Sequence, residues 1–104
     1  MIDLALITGF DWDEGNAGKS VQKHSVLQSE AEQLFFNQPL LLLQDIAHSG
    51  EDARYHALGK TDDDRRLHVT FTLRDKGTLI RVISARDMNR KERSIHAQNQ
   101  AQNP

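Results

Sequence analysis

Arg54 and His56 stand two residues apart in the stretch Arg54-Tyr55-His56-Ala57-Leu58, so an extended chain puts them on one face with Leu58, and Tyr55 and Ala57 on the other. A histidine changes protonation near neutral pH. An arginine offers an oxyanion a planar fork of donors. On a sheet surface the two can engage a single phosphate; a solvated strand face is the alternative reading. Further along, residues 74–93 carry seven basic side chains (Arg74, Lys76, Arg81, Arg86, Arg90, Lys91, Arg93) against three acids (Asp75, Asp87, Glu92), a net of +4. Such a cluster can attract a polyanion although the whole chain has a formal charge of −2; a solvated basic helix would look the same. Arg81 and Arg86 differ in parity, which sends them to opposite faces of a regular strand unless a bulge intervenes. Lys23-His24 are expected at a helix C-terminus, where the helix dipole favours cations whatever else they do. Asp62-Asp63-Asp64 reads as a solvated turn, because consecutive turn residues rarely converge on one ion. No metal site and no cofactor are expected.

Three separated stretches carry a resemblance. Phe10 to Pro39 reads FDWDEGNAGKSVQKHSVLQSEAEQLFFNQP, Arg54 to Gly59 reads RYHALG, and Arg81 to Arg93 reads RVISARDMNRKER. In this order, over roughly residues 10 to 93, they resemble the BrnT family of small RelE-like toxins from bacterial type II toxin–antitoxin pairs. The resemblance implies a metal-independent endoribonuclease that cleaves mRNA by attack of a 2′-hydroxyl on the neighbouring phosphate. It also implies a BrnA-like antitoxin with a ribbon-helix-helix domain, a two-plus-two heterotetramer, and contact with operator DNA only through that partner. The alternative is an inactive member of the fold that serves as a binding module or corepressor. On the ribonuclease reading, His56, Arg54 and Arg86 are the catalytic candidates. Arg81, Lys23, His24, Arg90 and Arg93 are the candidates for RNA contact. Relatives commonly carry tyrosine where this chain has His96, and many have lysine in place of Asn16. His48, His68 and His96 are expected at the surface.

A chain of 104 residues fits a single domain spanning residues 1–104. There is no cysteine, hence no disulfide or thiolate metal site. The opening MIDLALITGF contains Asp3 and lacks the basic n-region of a signal peptide. The apolar run Leu40 to Leu43 is far short of the roughly 20 residues that span a bilayer. A cytoplasmic protein with no membrane contact is expected.

The elements that must position these residues follow from periodicity. Residues 1–9 form a short strand or a loose end, and Phe10 and Trp12 a short strand. Asp13 caps a first helix running to about Lys23. Ser29 and Glu32 form a capping box for a second helix that stops at Pro39. Strands are predicted at Leu40–Gln44, Arg54–Gly59, Leu67–Leu73 and Thr78–Arg86, with a polar loop at 45–53 and a tight turn at Asp75-Lys76-Gly77. Asn89 and Glu92 begin a last helix of about eight residues, followed by a frayed polar tail. The expected class is α+β: a RelE-like antiparallel sheet of about four strands, two N-terminal helices and one C-terminal helix, with the helices on one face.

Overall fold

Leu67, Val69 and Phe71 alternate with His68, Thr70 and Thr72, and this period of two sets the architecture. In the computed structural model, which describes residues 2–48, 50 and 52–102, these residues lie in the central strand β4 (Arg66–Arg74). Antiparallel neighbours flank it: β3 (Arg54–Lys60) on one side and β5 (Leu79–Asp87) on the other. Strand β2 (Leu41–Asp45) pairs antiparallel with β3, and β1 (Gly9–Phe10) pairs parallel with β5. The order is β1-β5-β4-β3-β2. The sheet therefore has five strands and is mixed, where about four antiparallel strands were expected. The fifth arises because the Thr8 and Asp11 amides donate to the Thr78 and Ile80 carbonyls, locking the leading segment along the edge of β5.

One face of the sheet carries the core. Ala57, Leu67, Val69, Phe71, Ile80, Val82 and Ala85 meet Val26, Ala31 and Leu34 from the helical layer, all essentially removed from water. Burying a leucine, valine or phenylalanine side chain contributes about 1.5–3 kcal/mol, so this layer is the main source of stability. Helix α1 (Lys19–His24) is shorter than predicted. Residues 14–18 form turns, and Gly18 at φ 84 cannot continue into a right-handed helix from the Asp13 side. Asp13 still caps, but locally: its Oδ1 accepts from the Gly15 amide at 2.7 Å. Helix α2 (Gln28–Gln33) passes into a 3-10 turn at Leu34–Phe36 and ends before Pro39. The predicted Ser29–Glu32 box does not form. Glu30 reaches back to the Leu27 amide at 3.0 Å, and Glu32 accepts from Trp12 Nε1 at 2.7 Å.

Beyond β1, the edge of β5 is satisfied by side chains instead of a strand. Asn16 is buried; its Nδ2 donates to the carbonyls of Asp11 and Val82, each at 2.9 Å, and its Oδ1 accepts from the Asp13 amide. Ser20 Oγ accepts from the Ala85 amide at 2.8 Å. Arg65 ties the opposite corner together, donating to Glu30, Asp87 and the carbonyls of His24 and Ser25.

Helix α3 (Arg90–Gln102) overturns the expectation that all helices share one face. It crosses the face opposite α1 and α2, above Leu58, which is 2% exposed. The Asn89–Glu92 capping box forms as predicted, with the Glu92 amide donating to Asn89 Oδ1 and the Asn89 amide to Glu92 Oε1. The helix is longer than the predicted eight residues and includes part of the tail expected to fray; residues 103 and 104 lie outside the described residues, as do Ser49 and Glu51 of the 45–53 loop. At the far side of the sheet, β2 is the outer edge, with Leu43 54% and Ile46 81% exposed. Among the described residues no helix is long and apolar enough to cross a membrane.

Candidate functional site

The face that α3 only partly covers holds the residues with chemical potential. Arg54 and His56 project there from β3, as their spacing requires, and His68, Thr70 and Thr72 project there from β4. On β5 the pairing slips: Phe71 opposes Val82 while Thr70 opposes Ser84, leaving Ile83 as a bulge. The extra residue resets parity. Arg81 opposes Thr72 and Arg86 opposes His68, so both arginines lie on the face of His56. A regular strand would have separated them.

His56 is the centre of a hydrogen-bonded row. Its Nε2 donates to Asp45 Oδ2 at 2.8 Å, from β2, since a carboxylate there can only accept. In the neutral ring Nδ1 then accepts, and two donors compete for it: Thr70 Oγ1 at 3.0 Å and His68 Nε2 at 3.0 Å. The two imidazoles are tilted by only 21°, with centroids 4.9 Å apart. A nitrogen–nitrogen separation of 3.0 Å is closer than a face-to-face contact of rings allows, so they meet edge to edge. With His68 Nε2 carrying the proton, its Nδ1 is a buried lone pair without a partner.

Electrostatics reinforce this arrangement. The hydrogen bond from His56 holds the Asp45 carboxyl down at about 2, helped by the His48 amide against the cost of burial. Burial, with the Arg86 charge beside it, pushes His68 down to about 4, so this ring is neutral at pH 7. Arg86 is clamped by Glu92 through two bonds of 2.8 and 2.9 Å, and this fork lowers Glu92 to about 2. The result is a neutral His68 ring joined to His56, with a carboxylate at one end of the row and a guanidinium–carboxylate pair at the other.

The remaining predicted residues are placed less centrally. Arg81 forms a bidentate pair with Asp13 at 2.9 and 3.0 Å and a longer contact with Asp11 at 3.4 Å, raising its already high pKa. Lys23 and His24 are exposed in the last turn of α1, joined to the His56 row by no hydrogen bond or ion pair. Arg90 and Arg93 are exposed on the first turns of α3. Tyr55 turns to the core face and stacks on Phe71, with centroids 5.6 Å apart. In the 62–64 run, Asp62 accepts from Asn37 and Asp64 pairs with Arg66, so these carboxylates serve the turn.

Two histidines expected at the surface are not there. His68 is half-buried in the row, and His96 is fully buried, with Nε2 donating to the Pro39 carbonyl at 2.9 Å. His48 is exposed, at 72%, and pairs with Asp45. Sequence reasoning missed Asp45, His68 and Thr70. The alternation of β4 did place His68 and Thr70 together on the polar face; the β2–β3 register that delivers Asp45 was the absent piece.

The sequence profile of the ribonuclease toxin BrnT, of type II toxin–antitoxin systems, matches residues 12–92. The chain belongs to the BrnT family. A search of curated proteins finds no match. The match spans every strand from β2 to β5 and both N-terminal helices, and it ends at Glu92, the residue that clamps Arg86. As a BrnT-family chain it falls among the ribonuclease toxins of type II systems, and a toxin of that type has an antitoxin partner. His96 anchors α3 to the segment before β2. Asn16 has a structural task at the β5 edge.

Proposed function

We propose that this protein is a RelE-like, metal-independent endoribonuclease that cleaves mRNA in the cytoplasm, and that a BrnA-like ribbon-helix-helix antitoxin neutralises it. The observation that carries this reading is the row Asp45–His56–His68 beside Arg86 on one open face. Cleavage needs a base for the 2′-hydroxyl and cations for the charge that builds on the phosphoryl oxygens. His56 takes the hydroxyl proton at Nδ1, where the substrate hydroxyl replaces Thr70 and His68 as the donor. Asp45 orients the ring and stabilises the imidazolium that forms, as a carboxylate does for histidine in a nucleophilic triad. His68 holds the His56 ring in place until the substrate hydroxyl arrives at Nδ1. Arg86 and Arg54 hold the phosphate, with Arg86 preset by Glu92. The 2′-oxygen attacks phosphorus, a cyclic phosphate forms, and the departing 5′-oxygen is stabilised by a guanidinium hydrogen bond until solvent protonates it. Lys23, His24, Arg81, Arg90 and Arg93 are peripheral RNA contacts. The antitoxin covers this face in a two-plus-two assembly and brings the operator contact.

A second reading has its own observation. Both ring nitrogens of His56 are engaged, and Arg74, Arg81 and Arg86 are each paired with a carboxylate, as a surface built only for protein binding would be. Incubating purified protein with a long unstructured RNA in EDTA, beside the His56→Ala/Arg86→Ala variant, separates the two. Cleavage by the wild type alone supports the enzyme and the site. Cleavage by both keeps the activity and discards the site. Intact RNA in all reactions, with ribosomes absent and then present, leaves the binding module.

A further inference from the structure

Next to the His56 row the open face sinks into a depression of ≈ 450 Å³, lined by Asp52, Arg54, Thr72, Arg74, Arg81 and Ile83 among others. Arg54, Thr72 and Arg81 form one cross-strand row, and His56, Thr70 and Ser84 form the next. Two residues along a strand is about 7 Å. Arg54 of β3 and Arg81 of β5 thus stand one step from the proton-transfer row, and Arg74 of β4 lies one step further along the same depression. The Ile83 bulge adds an apolar wall to an otherwise polar pocket. The Thr72 hydroxyl is spent, donating to the Ala53 carbonyl at 2.6 Å. Arg74 is held by Asp52 at 2.8 Å, but both side chains are well exposed, 39% and 59%. Such exposed pairs are weak, so an incoming phosphate can displace the carboxylate from a guanidinium already in place. Arg81 is held more firmly, by two acids from the loop after β1.

We propose that this depression is a second nucleotide subsite, in which the phosphodiester next to the cleaved one rests on Arg74 and Arg81, with Arg54 standing between the two phosphates, and its base lies against Ile83. The proposal rests on the RNA reading above, although binding here does not require cleavage. A volume of this size suits a nucleotide-sized group. Phosphate contacts of this kind position the strand, and the apolar wall adds affinity without reading sequence.

The test is fluorescence anisotropy with a labelled 2′-O-methyl octaribonucleotide, which lacks the attacking hydroxyl, across a salt series. Arg74→Ala weakens binding about fivefold near 0.1 M salt and lowers the log–log salt slope by about 0.7, the value of one phosphate contact on a single strand. Ile83→Ala weakens binding without changing the slope. Asp52→Asn, which releases Arg74, tightens it. Arg66→Ala, at the far end of β4 and paired loosely with Asp64 at 3.4 Å, leaves affinity within about twofold. The proposal is overturned if the wild type shows no saturable binding, or if Arg66→Ala costs as much as Arg74→Ala. It also falls if the oligonucleotide is ignored while antitoxin binding depends on Arg74, since the pocket is then a protein contact. The expected binding pattern without RNA cleavage keeps the subsite and sinks the ribonuclease reading. Cleavage with unchanged binding by Arg74→Ala does the reverse.

Discussion

His56 and His68 sit diagonally on adjacent antiparallel strands, and a single hydrogen bond of 3.0 Å joins Nδ1 of one ring to Nε2 of the other. One proton serves both rings along this bond. His68 is held down to about 4, mainly by burial and then by Arg86, and with His56 Nε2 donating to Asp45 the bond runs from His68 Nε2–H to the His56 Nδ1 lone pair. Nuclear magnetic resonance of the ring nitrogens should show the Nε2–H tautomer of His68, with no titration of that ring until the pH approaches 4. A His68 that charges near pH 6.5 would contradict the arrangement.

The same group shapes acid stability. The unfolded ring binds its proton near pH 6.5 and the folded ring near 4, so between these values the unfolded state holds more protons and stability falls as pH falls. His56, Arg86 and Glu92 face His68, and the Glu92 and Asp45 carboxyls, both near 2, add a further loss below about pH 4. Urea midpoints measured from pH 7 to 4.5 should decline for the wild type and flatten for His68→Leu. An unchanged decline in the variant would assign the effect elsewhere.

Arg86 is expected to be irreplaceable by lysine. Its fork meets Glu92 with two parallel bonds, which a point ammonium cannot reproduce. On the ribonuclease reading, Arg86→Ala lowers the cleavage rate about 10²–10³-fold, the usual loss for one donor to a developing oxyanion. Arg86→Lys recovers little of it, but because lysine keeps a charge facing Glu92 its folding midpoint falls less than that of Arg86→Ala. Cleavage assays beside chemical denaturation check both halves.

Arg65 holds α1, α2 and β5 together from a partly exposed position. Asp87 and then Glu30 raise its pKa, and its donors also cap the carbonyls at the end of α1. Arg65→Ala should lower stability by about 2 kcal/mol, since charged hydrogen bonds contribute about 1.5–3 kcal/mol and solvent screens part of this cluster. Chemical denaturation reads the loss directly, and a change under 0.5 kcal/mol would show the cluster to be ornamental.

Asn16 gives a sharper case, because its partners are all backbone groups. Asn16→Ala strands the Val82 carbonyl at the sheet edge and frees the turn over residues 13–17, with an expected cost of about 2–3 kcal/mol. Ser20→Ala, which removes the acceptor for the Ala85 amide, should cost less, about 1 kcal/mol.

The strands were readable because their burial enforces a period of two: Leu67 to Phe71 enter the core and His68 to Thr72 cannot. The Asn89–Glu92 box was readable because its two hydrogen bonds are local in sequence. The Ser29–Glu32 box was not, because a tertiary partner, Trp12, takes Glu32. Gly18 stops the first helix by backbone conformation, which its spacing alone does not announce. For the site, Arg54 and His56 were visible as a same-face pair. The bulge that reunites Arg81 with Arg86 depends on how Ile83 meets a neighbouring strand, and Asp45 depends on a register 11 residues away. His96 looks like a surface residue in a polar tail, and only the Pro39 carbonyl makes it an interior one.

The outer rim of β2 has a practical meaning for anyone handling this protein. It ends the sheet as an edge strand with no further strand beside it among the described residues, lacks lysine and proline to repel a newcomer, and carries the exposed Leu43 side chain with exposed Ile46 just beyond. A rim of this kind zips onto any extended chain it meets. Solubility of the isolated protein is therefore a matter of concentration and company, and its colloidal behaviour should change most when a lysine replaces Leu43, a change that also reaches the candidate site because Leu43 pairs directly with His56.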